Sequence, residues 1–397
     1  MYDYEIVVAG GGPIGCFTAK QLASKGIHVA VVEEHNTIGE PLHCAGLVTQ
    51  RIFDISKCPQ TEIVQNKIYG AHIHSPDGSI LTIDGKKIHA LVINRQRFDQ
   101  TLAQAAQTVG TNLLTGYKII SAKKQDNAVT ISIKNNEHIK TIRCHLLIGA
   151  DGSHSRIRDN FGFPNPVETL QGIGAELSNT SLDPRFVHIF IGQTIAPGFF
   201  AWAIPTNQHG TTTRIGLCIG KQSIHPLQHY FTSFLQQPLL QGSTIIKRFG
   251  GTIPLGSLKK TIDDGVMLVG DSAAQIKPTS GGGLYPGLLC ATHCAMVAEE
   301  AIKKQTFNAK MLKQYHTKWT KEIGRELSLG MKFRKIYTNL TDTQFNKYLE
   351  KLNNKKTLDI INTYGDIDYP SRLALPLIKA SPSILSLVPT MLKRIKK

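Results

Sequence analysis

Between residues 5 and 9 the chain reads Glu-Ile-Val-Val-Ala, a short apolar run of the kind buried on both faces of a parallel sheet. It ends at Gly10-Gly11-Gly12-Pro13-Ile14-Gly15. From Cys16 to Lys25 apolar residues return at helical spacing, and Gly26 stops them. Ile27-His-Val-Ala-Val-Val is a second apolar run closed by Glu33-Glu34, so the opening of the chain predicts a βαβ unit. From about Lys67 the period changes to two: Ile68 to His74, a Ser75-Pro-Asp-Gly turn and Ser79 to Ile83 predict a β-hairpin. A helix is predicted over Phe98–Val109, and strands over 128–134 and 140–148 lead back to Gly149-Ala150-Asp151-Gly152. Residues from about 170 to 250 are strand-rich with Gly and Pro punctuation. Val266 to Val269 resumes the buried-strand pattern before Gly270-Asp271, and beyond about residue 288 the pattern is helical.

These periods predict an α/β fold in which a Rossmann-type nucleotide-binding domain is interleaved with an antiparallel β-sheet domain and followed by a C-terminal helical region. The expected boundaries are 1–65, 88–165 and 260–305 for the discontinuous nucleotide-binding domain, 66–87 and 166–259 for the antiparallel substrate domain, and 306–397 for the helices. A chain of 397 residues is long enough for this arrangement.

Charge adds one constraint. The formal net charge of +16 suits solubility, an anionic membrane surface or a nucleic acid. No helix-turn-helix, zinc-finger or RNA-binding signature accompanies it, so nucleic acid is not an expected partner. Seven scattered cysteines in a chain of this size fit a reducing compartment, and Cys290 and Cys294 read as small core residues with no second pair to complete a metal site. The first residues run straight into a strand, and no apolar run of about 18 residues occurs. The expectation is a cytoplasmic protein with at most peripheral membrane contact.

The glycines carry the first chemical signal. Gly10, Gly12 and Gly15 form G-x-G-x-x-G between a predicted strand and a predicted helix. That spacing gives a tight turn, close backbone approach to a pyrophosphate, and tight helix–strand packing. Glu33, at the end of the second strand, is placed to bind ribose hydroxyls and favours an unphosphorylated ribose such as that of FAD or NAD. Gly270-Asp271 follows a buried strand and precedes Pro278 and Gly281-Gly282-Gly283, an arrangement suited to a polyol and an electron-rich ring.

With these motifs the chain resembles the flavoprotein-hydroxylase superfamily. The resemblance implies FAD as cofactor, Asp271 on the ribityl chain, and Gly283-Leu284 at the flavin ring. It also implies that Asp151 and Gly152 lie near the pyrophosphate, and that Arg95 of Asn94-Arg95-Gln96-Arg97-Phe98-Asp99 is turned toward the cofactor. Within that superfamily Gly39-Glu40-Pro41-Leu42-His43-Cys44-Ala45-Gly46-Leu47 resembles a segment of geranylgeranyl reductases in which Cys44, Ala45 and Gly46 would lie beside the flavin. Pro197 to Pro205 is similar to that family's P-x-x-Y-x-W-x-F-P, which would place Phe199, Phe200 and Trp202 in a lipid pocket. Gly365 to Pro370 resembles a late segment of its archaeal members. Phe200 stands where the family has Tyr, Ile204 where it has Phe, and His43 where many members have Arg. An ordinary strand core is the competing reading for the three aromatics.

What the resemblance implies is an FAD-dependent reductase that saturates isolated C=C bonds of geranylgeranyl chains, with digeranylgeranylglycerol phospholipids of archaeal membranes as the expected isoprenoid glycerolipid substrate. Cys44 is the candidate catalytic residue, as proton donor or as a group shaping the flavin face. His43 is the other candidate donor, against a role in phosphate binding or simple exposure. An FAD-dependent monooxygenase on the same fold shares the three cofactor motifs, and the Cys44 and Pro197–Pro205 segments separate it from the reductase. A non-catalytic, flavin-bearing, membrane-associated protein is the reading outside enzymes, and cofactor motifs complete at every re-entry speak against it. No second G-x-G-x-x-G is present for a nicotinamide, so electrons are expected from an external donor, NAD(P)H or a ferredoxin-like protein. Finally, Leu373 to Lys397 mixes apolar residues with Lys393, Arg394, Lys396 and Lys397, and Pro376, Pro382 and Pro389 are expected to break it into short helices. Such helices suit docking on an anionic membrane surface, and a capping helix with a solvated tail is the alternative.

Overall fold

The short apolar runs pair in parallel because both of their faces are covered. In the computed structural model, which describes residues 2–41, 44–136 and 138–380, Tyr4–Ala9 lies between Val29–Glu33 and His138–Gly149, with Val266–Leu268 beyond His138–Gly149 and Asn112–Thr115 beyond Val29–Glu33. Ile6, Val8, Val31, Leu146 and Ile148 face a core built with the helices Pro13–Ala23, Arg95–Thr108 and Leu284–Lys303. Val7, Ala9, Val32 and Leu147 face the opposite way, onto Ile131, Ile133, Phe163 and Leu268. The long strand His138–Gly149 projects past its parallel neighbours, and there it pairs antiparallel with Ala128–Asn135, which in turn pairs with Lys118–Gln125.

A second sheet of seven strands runs in the order Thr244–Leu255, Glu168–Ser178, Thr212–Ile219, Phe200–Pro205, Phe186–Ile191, Gly70–His74, Ile80–Asp84. The predicted hairpin is its outer edge, closed by the Ser75 to Gly78 turn. The expectation of an antiparallel sheet needs one correction: Gly70–His74 pairs parallel with Phe186–Ile191. These strands come from distant parts of the chain, so no hairpin turn fixes their relative direction. Gly70 makes the close pairing possible, since a Cβ there would meet the Ile83 carbonyl and the Phe186 ring.

A third, three-stranded sheet joins Leu47–Val48, Ala90–Ile93 and Val64–Ile68. Ala90–Ile93 runs directly into Asn94, whose side chain accepts the Arg97 N–H at 3.1 Å and starts the helix Arg95–Thr108, earlier than the apolar spacing predicts.

The C-terminal helices pack against both larger sheets. Ala309–Trp319 and Arg325–Tyr337 are joined through a π-helical turn, Thr320–Gly324, and are followed by Asp342–Leu352, Lys355–Tyr364 and Ser371–Ala380. Pro376 does not break the last of these; it lies inside the helix, where its missing N–H removes a single intrahelical bond. Arg334 ties the helices to the second sheet: its Nε and Nη2 donate to Glu168 at 2.7 and 2.6 Å, with the Arg334 side chain 2 % exposed.

Arg334→Met strands the Glu168 carboxylate and should lower the unfolding free energy by about 3 kcal/mol or more. Lys118→Ala removes an ion pair with Glu34 whose partners are both about half exposed, and should change it by less than about 1 kcal/mol. Chemical denaturation of the two variants measures the contrast.

Candidate functional site

The loop after the first strand leaves no room for side chains where it turns. Gly10 has φ +99°, and a Cβ on it would meet the Ala150 carbonyl; a Cβ on Gly15 would meet the carbonyl of Gly10. Gly12 faces open space, and it precedes Pro13, the first residue of a helix whose N-terminus has no side-chain cap. Those free N–H groups suit a phosphate. Glu33 reaches back to this loop. Its Oε2 accepts the Gly11 N–H at 2.7 Å, and its Oε1 accepts the His35 N–H at 2.9 Å, so the carboxylate sits beside the glycines and is 13 % exposed.

The contact between Gly10 and Ala150 brings the middle motif to the same place. The Asp151 carboxylate is already engaged: Oδ1 accepts the Ser155 hydroxyl at 2.6 Å and Oδ2 the Ile157 N–H at 3.0 Å. Burial pushes its pKa up against these bonds. Asp151 therefore shapes the turn through Gly152 (φ +77°) into Arg156–Asn160, and its backbone, rather than its carboxylate, borders the glycine loop.

Asp271 is different. Among the described residues no group donates a hydrogen bond to its carboxylate, although a Cβ on Gly283 would lie 2.9 Å from its Oδ1. Burial pushes its pKa up to about 6, with the Arg95 cation acting in the opposite direction. A half-buried carboxylate without donors among the described residues, beside the start of the helix Leu284–Lys303, fits a polyol hydroxyl, and the open face of Gly12 fits the pyrophosphate. The residues present fit FAD.

Arg95 connects this corner to Cys44. Its Nε and Nη2 donate to the two oxygens of Asp99, both at 3.1 Å. Burial works against the Arg95 charge, but Asp99 and the neighbouring Cys44 sulfur hold it firmly cationic. For Asp99 burial is the larger influence and raises its pKa, with Arg95 pulling it down. The small third sheet makes the neighbourhood: Leu47 pairs with Val92, and Ile93 N–H donates to the Gly46 carbonyl at 2.8 Å. The Gly46 N–H lies 3.3 Å from Cys44 Sγ. Cys44 is half-buried, whereas the other six cysteines are buried. His43 lies outside the described residues.

Arg214 was not anticipated. It is buried, and its Nη1 donates to the Ile93 carbonyl at 2.9 Å and the Ala45 carbonyl at 3.3 Å while Nη2 donates to Gln65 at 2.7 Å. Gly46 (φ +73°) admits it, since a Cβ there would come within 2.6 Å of Arg214 Nη1. The signal in the sequence is a lone arginine inside the apolar strand Thr212–Ile219.

The aromatic segment meets the same loops. Phe199 and Phe200 stack at 4.2 Å, Phe200 meets Trp202 edge-on at 6.1 Å, and all three border a cluster containing Leu170, Cys218 and Ile276. A Cβ on Gly281 would lie 3.4 Å from the Phe199 ring, so this wall abuts the loop that leads to Gly283. Trp202 packs, as do Ala45 and Leu47, against the cluster of Ile68, Val92 and Ile204, and its Nε1 has no hydrogen-bond partner among the described residues. Phe200 packs against the apolar cluster that holds Leu170, Cys218 and Ile276.

The family described as FAD binding domain matches residues 3–233. The chain belongs to the FAD-binding domain family. FAD is therefore its cofactor, and the geranylgeranyl reductase resemblance extends over most of its length. An uncharacterized protein of Methanocaldococcus jannaschii, MJ1520, is 31% identical and covers 95% of this chain and 95% of its own. The digeranylgeranylglycerophospholipid reductase of the same organism is 29% identical over 88% of this chain and 90% of its own. Among solved structures, a geranylgeranyl bacteriochlorophyll reductase-like protein from Thermoplasma acidophilum superposes with a TM-score of 0.86 at 22% identity, covering 98% of this chain and 99% of that one. That similarity establishes the fold: a parallel nucleotide-binding sheet, a largely antiparallel second sheet and C-terminal helices.

The Asp271 carboxyl titrates higher in the folded apoprotein than unfolded, so the native state binds the extra proton and stability falls as pH rises from about 4 through about 6. Asp271→Asn should therefore stabilise the apoprotein at pH 8 by on the order of 1 kcal/mol, with the gain vanishing toward pH 4, and weaken FAD binding at both. Thermal melts across pH, with a flavin titration, measure both effects.

Proposed function

We propose that this member of the FAD-binding family is a reductase that saturates isolated C=C bonds of geranylgeranyl chains, most specifically those of digeranylgeranylglycerol phospholipids. The observation that carries the reading is the junction at Gly281, where the Phe199–Trp202 wall abuts the loop leading to Gly283, while Trp202 and Ala45 of the Cys44 segment pack against the same apolar cluster. A long isoprenoid needs such a dry, aromatic surface beside the flavin loops.

Reduced FAD, when bound, supplies the hydride. An isolated trisubstituted alkene has no electron sink, so the protein has to supply a proton to the less substituted carbon, and the other carbon takes on tertiary-cation character as hydride reaches it. Cys44 is the proposed proton donor or flavin-facing group, with the Arg95–Asp99 pair holding its surroundings. The faces of Phe199, Phe200 and Trp202 would stabilise the developing cation by about 1–2 kcal/mol each. Asp271 would hold the ribityl hydroxyls, Glu33 the ribose, and the N–H groups at Gly12 the pyrophosphate. Electrons come from an external donor.

Peripheral docking on an anionic membrane belongs to the same proposal. Among the described residues no helix is long and apolar enough to cross a membrane. Tyr364, Ile367, Arg372 and Leu375 are exposed, and the chain carries a net charge of +16. Lys393, Arg394, Lys396 and Lys397 lie outside the described residues.

Two experiments test the reading. Co-expression with a geranylgeranyl lipid pathway, followed by mass spectrometry, should show mass gains of two hydrogens per double bond, and Cys44→Ser should keep FAD yet lose most turnover per bound flavin. Unchanged lipids would reject the reductase, oxygen consumption with NAD(P)H would favour a monooxygenase, and wild-type turnover in Cys44→Ser would remove that residue from the chemistry. Sedimentation with anionic vesicles should decline as salt rises and drop on deletion of residues after about 380. Equal recovery with neutral vesicles would remove the docking role.

A further inference from the structure

The segment Gly365 to Pro370 crosses the site from the C-terminal side, and one side chain in it touches two of the site's loops. Asp368 is 1% exposed. Its Oδ2 accepts the Thr49 hydroxyl at 2.5 Å and Arg51 Nη1 at 3.0 Å, and its Oδ1 accepts Lys277 Nζ at 2.6 Å. Lys277 is itself buried, and its Nζ also donates to the Ile367 carbonyl at 3.1 Å.

The donors belong to different walls. Thr49 follows Leu47–Val48, the strand that extends the Cys44 loop. Lys277 begins the turn that leads to Gly283: its carbonyl accepts the Gly281 N–H at 2.9 Å, and its own N–H donates to the Gly282 carbonyl at 3.2 Å. A Cβ on Gly282 would lie 2.9 Å from Lys277 Cε. Fixing the lysine fixes that turn.

The segment around Asp368 is braced. Asp366 receives both terminal nitrogens of Arg51, at 2.7 and 2.8 Å, and its Oδ1 accepts the backbone N–H of Asp368 at 3.0 Å. Burial opposes the Asp366 charge, but Arg51 holds its carboxyl below the ordinary range. The Arg51 guanidinium lies over the rings of Tyr285 and Tyr369, whose hydroxyls meet at 2.8 Å. Tyr285 stands in the first turn of the helix that starts at Leu284. Glu326 holds Ser371 on the other side, accepting its N–H at 3.0 Å.

Two carboxylates thus face two buried or half-buried cations. Apolar side chains of matching volume would give comparable stability, whereas a carboxylate with three directed donors fixes a distance. We propose that Asp368 is a positioning residue that clamps the Cys44 loop to the Lys277–Gly283 turn and so sets the gap between them. That the gap holds flavin and alkene rests on the function proposed above; the clamp itself rests on the contacts.

Cys44 gives a direct readout, since the other six cysteines are buried. In FAD-loaded, full-length protein, Asp368→Asn should speed alkylation of Cys44 by iodoacetamide roughly tenfold, because the loop opens more often. It should also shift the visible flavin spectrum and lower turnover per bound flavin more than it changes KM. Thr49→Val, which leaves the Lys277 ion pair in place, should speed the labelling while leaving the flavin spectrum as in wild type, and it carries the test if Asp368→Asn does not fold. Ile131→Ala, a core truncation in the strand Ala128–Asn135, controls for loss of stability alone. Labelling of Asp368→Asn or Thr49→Val no faster than that of Ile131→Ala would overturn the clamp. Faster labelling in a protein whose wild type reduces no geranylgeranyl lipid would uphold the clamp and reject the substrate reading.

Discussion

Ala9 pairs with Gly149 and Gly149 with Leu268, and much of the site descends from that alignment. Parallel strands buried on both faces cannot slip by a residue without reversing every side chain between the two cores. Three loops from distant parts of the chain consequently leave the sheet at one height: Gly10 after the first strand, Ala150 after the long one, Gly270 after the last. Their closeness forces the glycine at position 10 and, through Asp151, turns the middle loop away toward Ser155. The carboxylate of Asp271 is left facing the glycine-lined start of a helix, where ordinary folding alone would not leave a charge without donors.

The rest of the site divides into a polar corner and a dry wall. Arg95 and Asp99 neutralise each other at the corner, and Arg214 holds the carbonyl of Ala45 to that of Ile93 at the end of the strand Ala90–Ile93. On the wall the Trp202 Nε1 lies buried without a partner among the described residues, and the charge behind the wall is paired. Arg334 sits behind the Phe199 ring at 5.5 Å with its charge taken up by Glu168.

The parts visible in the sequence are those with a short period or a fixed spacing. The apolar runs at 5–9 and 266–269, the glycines at 10, 12 and 15, and the Ser75 turn each announce themselves locally. The small sheet that brings Cys44 to Arg95 does not, because Leu47–Val48 is too short to show any period. The same holds for the parallel pairing of Gly70–His74 with Phe186–Ile191, which joins segments far apart. Asp151 shows a second limit: its motif marks the right loop, but only the fold reveals that its oxygens are bonded within that loop. Arg214 and Lys277 stand as single charges in apolar surroundings, a pattern that signals a buried partner without saying which. The partner of Lys277 lies in the C-terminal helical region.

The interleaving of the two larger sheets has a consequence for how the protein is made. The loop at Gly10–Gly15 is made well before the strand that places Gly270 and Asp271 beside it, which is not available until the chain has been extended past Val266–Leu268. Neither sheet is a contiguous block that could close early and wait, since the hairpin at 70–84 belongs to a sheet whose remaining strands begin at Glu168. Long-range pairing of this kind is slow and leaves unpaired edges exposed in the meantime. A site built from loops after the first, long and last strands of the parallel sheet is complete only when the last of these strands has joined, so a ligand held by all three loops favours the finished sheet over any partly paired one.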